Sequence, residues 1–252
     1  MGSASRPFDP VARFLGPAYL RYSFTRATAS EAASLARLLG LRPGEVVLDV
    51  GCGPGRHARA LADMGLEVVG VDLSEEFCRL AAAGAPLPAR FVRGDVRSLP
   101  LRPGAADAAI CVCQGGFGLL GGGADEEAAL AQIAGALRPG GRLALTAFCA
   151  YFAVRHIEEG ERFNAEAGVL HEVAELRDLK GARASFGLST TCFTPRELRL
   201  MCRQAGLDPW LVAAVGPAGY EPAEPGLDRP QLLVLAVRSP AGADRAPGAS
   251  MP

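Results

Sequence analysis

The stretch Val46-Val47-Leu48-Asp49-Val50-Gly51-Cys52-Gly53-Pro54-Gly55 decides the fold of this chain. An apolar strand runs directly into a loop of alternating glycines, and an amphipathic helix over residues 56–64 follows. A glycine loop that opens a helix presents backbone N–H groups to a ligand and allows the ligand to approach closely. The stretch therefore predicts an α/β fold that binds a nucleotide-like ligand at the end of this strand.

The spacing of the glycines narrows the class of ligand. Dinucleotide-binding folds carry G-x-G-x-x-G, whereas here Arg56 follows Gly55 and the spacing is G-x-G-x-G. Asp49, just before the loop, is unfavourable beside a pyrophosphate and suits a cationic ligand that bears an amine. The spacing disfavours an NAD(P)-dependent oxidoreductase, which is kept as an alternative.

Apolar runs alternate with helical patterns along most of the chain, which is typical of a parallel sheet with right-handed crossovers. We predict a doubly wound, Rossmann-like α/β fold with a mostly parallel sheet of seven strands. The predicted strands cover residues 46–50, 67–71, 90–93, 106–113, 142–147, 211–215 and 232–237. The predicted helices between them cover residues 56–64, 75–83 and 125–137.

The domain organisation follows from where this alternation begins and stops. Residues 1–40 are predicted to form a helical cover, with Thr28-x-x-Glu31 as a capping box and Gly40 at the end of the helix. The main domain covers residues 41–238. After strand five, residues 151–193 are predicted to form a small cap that contains an antiparallel hairpin. The tail 239–252 is rich in Gly, Ala, Pro and Ser and is predicted to be disordered.

Four segments together resemble the motifs of class I S-adenosylmethionine-dependent methyltransferases. They are Asp49-Val50-Gly51-Cys52-Gly53-Pro54-Gly55, Asp72-Leu73 after strand two, Asp95-Val96 after strand three, and the turn 137–141 before strand five. The resemblance implies that Asp72 binds the ribose hydroxyls and that Asp95 and the Val96 backbone bind the adenine. It implies S-adenosyl-L-methionine as the cofactor, held by Asp49, Gly51, Cys52, Gly53, Gly55, Asp72, Leu73, Asp95, Val96, Cys113 and Gln114.

The same resemblance places the methyl acceptor over the carboxyl ends of strands four and five. The sequence there lacks the D/N/S-P-P-aromatic motif of enzymes that methylate amino groups in nucleic acids, and Cys113 follows Val112 rather than a proline. A small-molecule acceptor, methylated on O, N or C, is therefore expected. His171 and Tyr151 in the cap are the candidates for catalytic residues. A protein that binds the cofactor without catalysis is the second alternative.

Composition limits the classes of partner. Lys and Arg number 26 and Asp and Glu number 27, and this net charge of −1 argues against a protein that coats nucleic acid. No apolar run approaches the roughly 20 residues that a membrane-spanning helix needs. Seven cysteines without an export signal indicate reduced thiols and a cytoplasmic protein. Because there is no C-x-x-C pair or Cys/His cluster in the sequence, no metal site is expected. The sequence carries no signal for an oligomeric state.

Overall fold

The computed structural model describes residues 8–84, 88–113, 116–120, 124–216 and 219–240. Its helices are α1 Asp9–Leu15, α2 Thr28–Leu39, α3 Arg56–Ala62, α4 Glu75–Ala83, α5 Ala124–Ala136, α6 Ala150–Arg155 and α7 Pro195–Gln204. Its strands are β1 Val46–Val50, β2 Glu67–Asp72, β3 Arg90–Arg93, β4 Ala106–Cys111, β5 Leu137–Cys149, β6 Arg162–Asn164, β7 Val169–Arg177, β8 Arg183–Phe193, β9 Leu207–Val215 and β10 Gln231–Arg238. Two short 3₁₀ turns, Gly16–Arg21 and Ser23–Thr25, join α1 to α2.

The central sheet has the predicted α/β architecture. Its order begins β3-β2-β1-β4-β5, with all of these neighbours parallel. Strand β10 then pairs antiparallel with β5, and β9 pairs antiparallel with β10. The seven predicted strands are thus present, and the carboxyl ends of β1 to β5 meet at one edge of the sheet.

Each face of the central sheet is covered by helices, which makes the fold doubly wound. Alternating side chains of one strand point to opposite faces, so that Val47 and Leu48 belong to two different cores. Helices α2 and α3 cover the first core, and α5 and α7 cover the second. Burial on both faces explains why the strands are almost continuously apolar.

The strands of the cap are hydrogen-bonded to the central sheet, so the sheet has more strands than the seven predicted from sequence. Strands β7 and β8 form the predicted hairpin, with Val169 opposite Thr191 and Arg177 opposite Arg183. The last two residues of β5 pair in parallel with the end of β8, and β6 adds to the other side of β7. The hydrogen-bonded sheet therefore contains ten strands. Helix α7 begins with a capping box between Thr194 and Glu197, because the side chain of each accepts the backbone N–H of the other.

One local prediction is wrong, and another is modified by the structure. Helix α2 begins after Ala27 without a side-chain cap, because the Glu31 carboxylate turns toward α3 and does not bond back to its own helix. The turn expected at 137–141 lies within β5, where the pairing with β4 shifts between Ala106–Leu137 and Ala108–Arg142. This shift accommodates Gly140, whose φ is 76°.

The structure describes only part of the predicted N-terminal cover and of the predicted tail. From residue 241 onward, the tail predicted to be disordered lies outside the described residues. No helix within the described ranges has both the length and the apolar character that a membrane crossing requires.

Candidate functional site

A cavity of about 450 Å³ opens at the carboxyl ends of β1 to β4. This is the edge at which doubly wound α/β folds bind their ligands. One part of its wall comes from the glycine loop and the ends of β2, β3 and β4. The other part comes from the N-terminal segment and the cap. Seven of the residues predicted from sequence line this cavity: Gly51, Gly53, Asp72, Leu73, Asp95, Val96 and Cys113.

The glycine loop turns sharply where β1 ends. Gly51 and Gly53 have φ values of 66° and 54°, in the left-handed region that glycine adopts without strain. The Gly51 and Cys52 N–H groups donate to the Val71 carbonyl at 2.8 and 3.1 Å, which ties the loop to the end of β2. The backbone of Gly51 and Gly53 is thereby fixed against the cavity.

Asp72 connects the loop to the next strand. Its Oδ2 accepts the Gly53 N–H at 2.8 Å, and its Oδ1 accepts the Ser74 N–H at 2.8 Å. Each carboxylate oxygen has a second lone pair free for a ligand that lies in the cavity. Burial raises the pKa of Asp72, although the two backbone N–H groups oppose this effect. The carboxylate is thus held in one orientation at the cavity wall.

Asp95 lines the cavity as part of an ion-pair network. Arg97 donates to both of its oxygens, from Nε at 3.0 Å and from Nη2 at 2.6 Å. Arg97 Nη1 also donates to Asp125 Oδ2 at 2.9 Å, so the guanidinium is shared between two carboxylates. The charge of Arg97 is therefore neutralised within this network.

Three predicted cofactor residues lie behind the loop instead of on the cavity wall. Cys52 is buried, and a Cβ placed on Gly55 would lie 2.9 Å from Ala81 and Phe91, so these two positions serve the packing of the loop. Asp49 is only 2% exposed, and its Oδ2 accepts no hydrogen bond. Burial raises the pKa of Asp49 to about 7, with Arg56 acting in the opposite direction.

Cys113 follows β4 and faces the cavity with an unusual backbone. Its φ of 53° is in the left-handed region, and its N–H donates to the Thr146 hydroxyl at 2.9 Å. Its Sγ accepts from Arg56 Nη2 at 2.7 Å and lies 3.1 Å from the Tyr220 hydroxyl. The next predicted residue, Gln114, lies outside the described residues.

A buried cluster around Glu31 escaped the sequence analysis. Glu31 Oε2 accepts from Arg56 Nη1 and from His57 Nε2, the latter at 2.9 Å. Burial lowers the pKa of His57, although the hydrogen bond to Glu31 opposes this. Burial alone would raise the pKa of Glu31, but the hydrogen bonds from His57 and Arg56 lower it. Arg56, which breaks the dinucleotide spacing, is the residue that connects Glu31 to Cys113.

Glu31, His57 and Cys113 also bring together one oxygen, one nitrogen and one sulfur within 4.8 Å of one another. These are ligand atoms that zinc accepts. Arg56 donates to both Glu31 and Cys113, so a guanidinium already supplies the positive charge at this position. A metal ion would have to displace it, and we assign no metal site here.

The second part of the wall is apolar and comes from distant segments. Its side chains belong to the N-terminal cover, the loop after β4 and the cap hairpin. They are Phe8, Val11, Leu15, Tyr22, Phe24, Leu119, Leu120, Leu176 and Leu188. Cover and hairpin meet directly. The Arg177 N–H donates to the Tyr22 hydroxyl at 2.9 Å, and Phe14 packs on Phe186 with ring centroids 5.4 Å apart.

The two predicted catalytic residues are not at the cavity. His171 pairs with Ser189 across the hairpin, and the two side chains are joined by a hydrogen bond of 2.9 Å. Leu176 and Leu188 line the cavity, and alternation along each strand puts His171 and Ser189 on the opposite face of the hairpin. Tyr151 is 50% exposed on α6 and borders a separate shallow groove.

Comparisons with known proteins agree with this geometry. Residues 47–141 match the model of a family described as a methyltransferase domain. The demethylmenaquinone methyltransferase of Beutenbergia cavernae is 38% identical over 149 residues, which cover 56% of this chain and 56% of that protein. The chain spans about a third to just over half of the length of the first curated relatives that it matches, from 35% to 56%.

Two solved structures share the fold. The CcbJ methyltransferase from Streptomyces caelestis has a TM-score of 0.69 and 22% identity, with 84% of this chain and 90% of that chain covered. CalS10, an amino pentose methyltransferase from Micromonospora echinaspora solved with S-adenosylmethionine bound, has a TM-score of 0.61 and 23% identity. In that comparison 95% of this chain and 99% of the other are covered.

Proposed function

We propose that this chain, a member of the S-adenosylmethionine-dependent methyltransferase family by its methyltransferase domain at residues 47–141, transfers a methyl group to a small-molecule acceptor. The acceptor atom is O, N or C. The observation that carries the proposal is a single cavity with two unlike walls. One wall has the polar groups that suit the cofactor, and the other is apolar and suits an organic acceptor.

The polar wall supports S-adenosylmethionine as the ligand. The backbone of Gly51 and Gly53 is exposed to the cavity, and the fixed carboxylate of Asp72 can accept hydrogen bonds from two ribose hydroxyls. Asp95 and Val96 lie one strand further along the edge, where the resemblance expects the adenine. Asp49 lies behind the loop with an Oδ2 that accepts no hydrogen bond, and a cationic ligand would favour the ionised form of this carboxyl whereas a pyrophosphate would oppose it.

The apolar wall supports an acceptor with little charge. Arg97 is the one cationic side chain among the described residues that line the cavity, and Asp95 and Asp125 neutralise it. An anionic acceptor would therefore lose its hydration without gaining a partner. The demethylmenaquinone and amino pentose methyltransferases named above act on small molecules, which agrees with this class.

The residues contribute chiefly by position and by excluding water. Bound S-adenosylmethionine supplies an electrophilic methyl group on a sulfonium centre. Because methyl transfer from a sulfonium would disperse its charge, residues that align the acceptor and exclude water would favour the transfer. The leucines and aromatic side chains of the cover and the hairpin exclude water from this part of the cavity. Asp72 and the glycine loop hold the ligand in register with the carboxyl end of β4.

The test is a turnover assay with a methyl-labelled cofactor. The purified protein is incubated with S-adenosylmethionine carrying a deuterated methyl group and a library of metabolites that bear hydroxyl or amine groups and carry no negative charge. We expect S-adenosylhomocysteine to form and one metabolite to gain the labelled methyl group. Cofactor binding without S-adenosylhomocysteine above background supports the non-catalytic alternative instead. Binding of a nicotinamide cofactor in place of S-adenosylmethionine would support an oxidoreductase.

A further inference from the structure

Glu31 offers an unused carboxylate oxygen to the cavity. The residue is only 4% exposed, and it lines the cavity beside Tyr19 and Cys113. Arg56 and His57 both donate to Oε2, and no described residue donates to Oε1. Because Glu31 lines the cavity, an oxygen of its carboxylate that lacks a protein donor is suited to a donor that arrives with a ligand.

The charges around the glycine loop favour a cationic donor. The carboxylates of Glu31 and Asp72 lie close to the loop, and among the described residues the guanidinium of Arg56 is the cation paired with Glu31. Asp95, Asp125 and Arg97 form a separate network on the β3 side. Opposite charges attract strongly in such a buried site, and an anion at Oε1 would be repelled.

The order of the strands determines which part of the cofactor reaches Glu31. Asp95, Asp72, Gly51 and Cys113 follow β3, β2, β1 and β4, which are consecutive neighbours in the sheet. A ligand with its adenosine at Asp95 and Asp72 extends its other end over β1 and β4. The carboxylate of Glu31 stands there, within 4.8 Å of Cys113 Sγ.

We propose that Glu31 Oε1 accepts a hydrogen bond from the α-ammonium group of the methionine part of the cofactor. This inference rests on the proposed function, because it takes S-adenosylmethionine as the ligand. Arg56 and His57 are positioning residues, since they fix Oε2 and thereby turn Oε1 toward the cavity. Of the two charged groups at the methionine end, the ammonium is the one that this oxygen attracts.

The experiment measures binding instead of turnover. Calorimetry compares wild type and Glu31→Gln, each with S-adenosylhomocysteine and with an analogue of it that lacks the amino group. Glu31→Gln keeps the shape of the side chain and removes its charge. We expect it to weaken S-adenosylhomocysteine about tenfold or more, because hydrogen bonds between charged groups are the strong ones. The analogue without the amino group should bind both proteins equally.

Glu45→Gln is the matched control. Glu45 Oε1 also pairs with an arginine, Arg142, at 2.6 Å, but it precedes β1 at the opposite edge of the sheet. Its substitution should leave both affinities unchanged. In wild type alone, removal of the amino group from the ligand should weaken binding at least about tenfold, so the inference can be tested even where Glu31→Gln is unstable.

Three outcomes overturn the inference. One is wild-type affinity for S-adenosylhomocysteine in a folded Glu31→Gln variant, and another is equal weakening of both ligands by this substitution. The third is a wild type that does not discriminate between the two ligands. If wild type bound neither S-adenosylmethionine nor S-adenosylhomocysteine, the proposed function itself would fail, and this result is distinct from the other three.

Discussion

The two walls of the cavity are built in different ways. Most of the cofactor wall comes from one continuous stretch, residues 46–96, in which β1, β2 and β3 each end in a short motif, and Cys113 after β4 completes it. The acceptor wall is assembled from residues 8–24, the loop after β4 and the cap hairpin, which are far apart in sequence. The first wall offers the ligand backbone groups and a few carboxylates, whereas the second offers it apolar side chains.

This difference predicts where substitutions act. Changes in the cofactor wall should alter the affinity for S-adenosylhomocysteine, because the contacts are local and polar. Changes in the cap should leave that affinity intact and alter only what happens to the acceptor.

Gly53→Val should have the largest effect. The φ of 54° is strained for a branched side chain, and the new methyl groups would occupy the cavity wall where the ligand meets backbone. We expect the affinity for S-adenosylhomocysteine to fall by at least about 100-fold, or roughly 2.7 kcal/mol, as measured by calorimetry. Gly44→Val is the control, because Gly44 also has a positive φ, 85°, but lies before β1. Near-normal affinity in folded Gly53→Val would remove the loop from the site.

Asp72→Ala should weaken S-adenosylhomocysteine at least about tenfold, because each hydrogen bond to a charged group contributes about 1.5–3 kcal/mol. Asp72→Asn should weaken it less, since one acceptor oxygen remains for the Gly53 N–H or the ligand. On the other wall, Leu188→Ala should leave this affinity within about threefold of wild type. Equal losses from Asp72→Ala and Leu188→Ala would contradict the separation of the two walls.

Asp49→Asn should change how stability depends on pH. The pKa of Asp49 is raised by burial to about 7, so the folded state keeps a proton that the unfolded state releases. Wild type therefore loses stability as the pH rises from about 4 to 7, and the loss is complete above pH 7. The Tm of the variant minus the Tm of wild type should therefore be larger at pH 8 than at pH 5, by about 2–4 °C or more.

The Asp49 experiment has a simple control. Asp63→Asn, at an exposed position after α3, should show the same difference in Tm at both pH values. A pH-independent difference for Asp49→Asn would mean that Asp49 is ionised in the folded protein throughout this range.

His171→Ala should have the smallest effect. The sequence predicts a catalytic base here, which implies a loss of roughly 100-fold in turnover. The structure places the ring on the outer face of the hairpin, bonded to Ser189, and from this position we expect a change below about threefold. Turnover with the labelled cofactor, measured beside the affinity for S-adenosylhomocysteine, distinguishes the two. A large loss of turnover at unchanged affinity would restore His171 as the base.

The sequence predicted what local patterns determine. The β1 strand and its glycine loop, the acids at the ends of β2 and β3, and the capping box at Thr194 are each encoded within about ten residues, and the structure contains them. The resemblance to methyltransferases followed from the same motifs, and residues 47–141 match the model of a methyltransferase domain.

The residues that the sequence analysis missed depend on contacts between distant segments. Glu31 has the spacing of a capping box, and only the packing of α2 on α3 shows that Arg56 and His57 take its carboxylate. Neighbouring residues of a strand point to opposite faces of the hairpin, so His171 points away from the cavity although the next residue along the strand, Glu172, is on the face that lines it. An arginine at position 56, where a dinucleotide fold continues its loop, was the one available signal for the buried cluster.

The contact between Tyr22 and Arg177 has a consequence for the time course of synthesis. The two residues are 155 positions apart, and the cover is held to the hairpin by hydrogen bonds between them. At about 5–20 residues per second, the ribosome reaches Arg177 roughly 8 to 30 s after Tyr22. During that interval the aromatic side chains of the cover have no hairpin to pack against. The nascent chain therefore exposes the apolar side chains of the cover, and this side of the cavity is completed only after the hairpin, β7 and β8, has been synthesised.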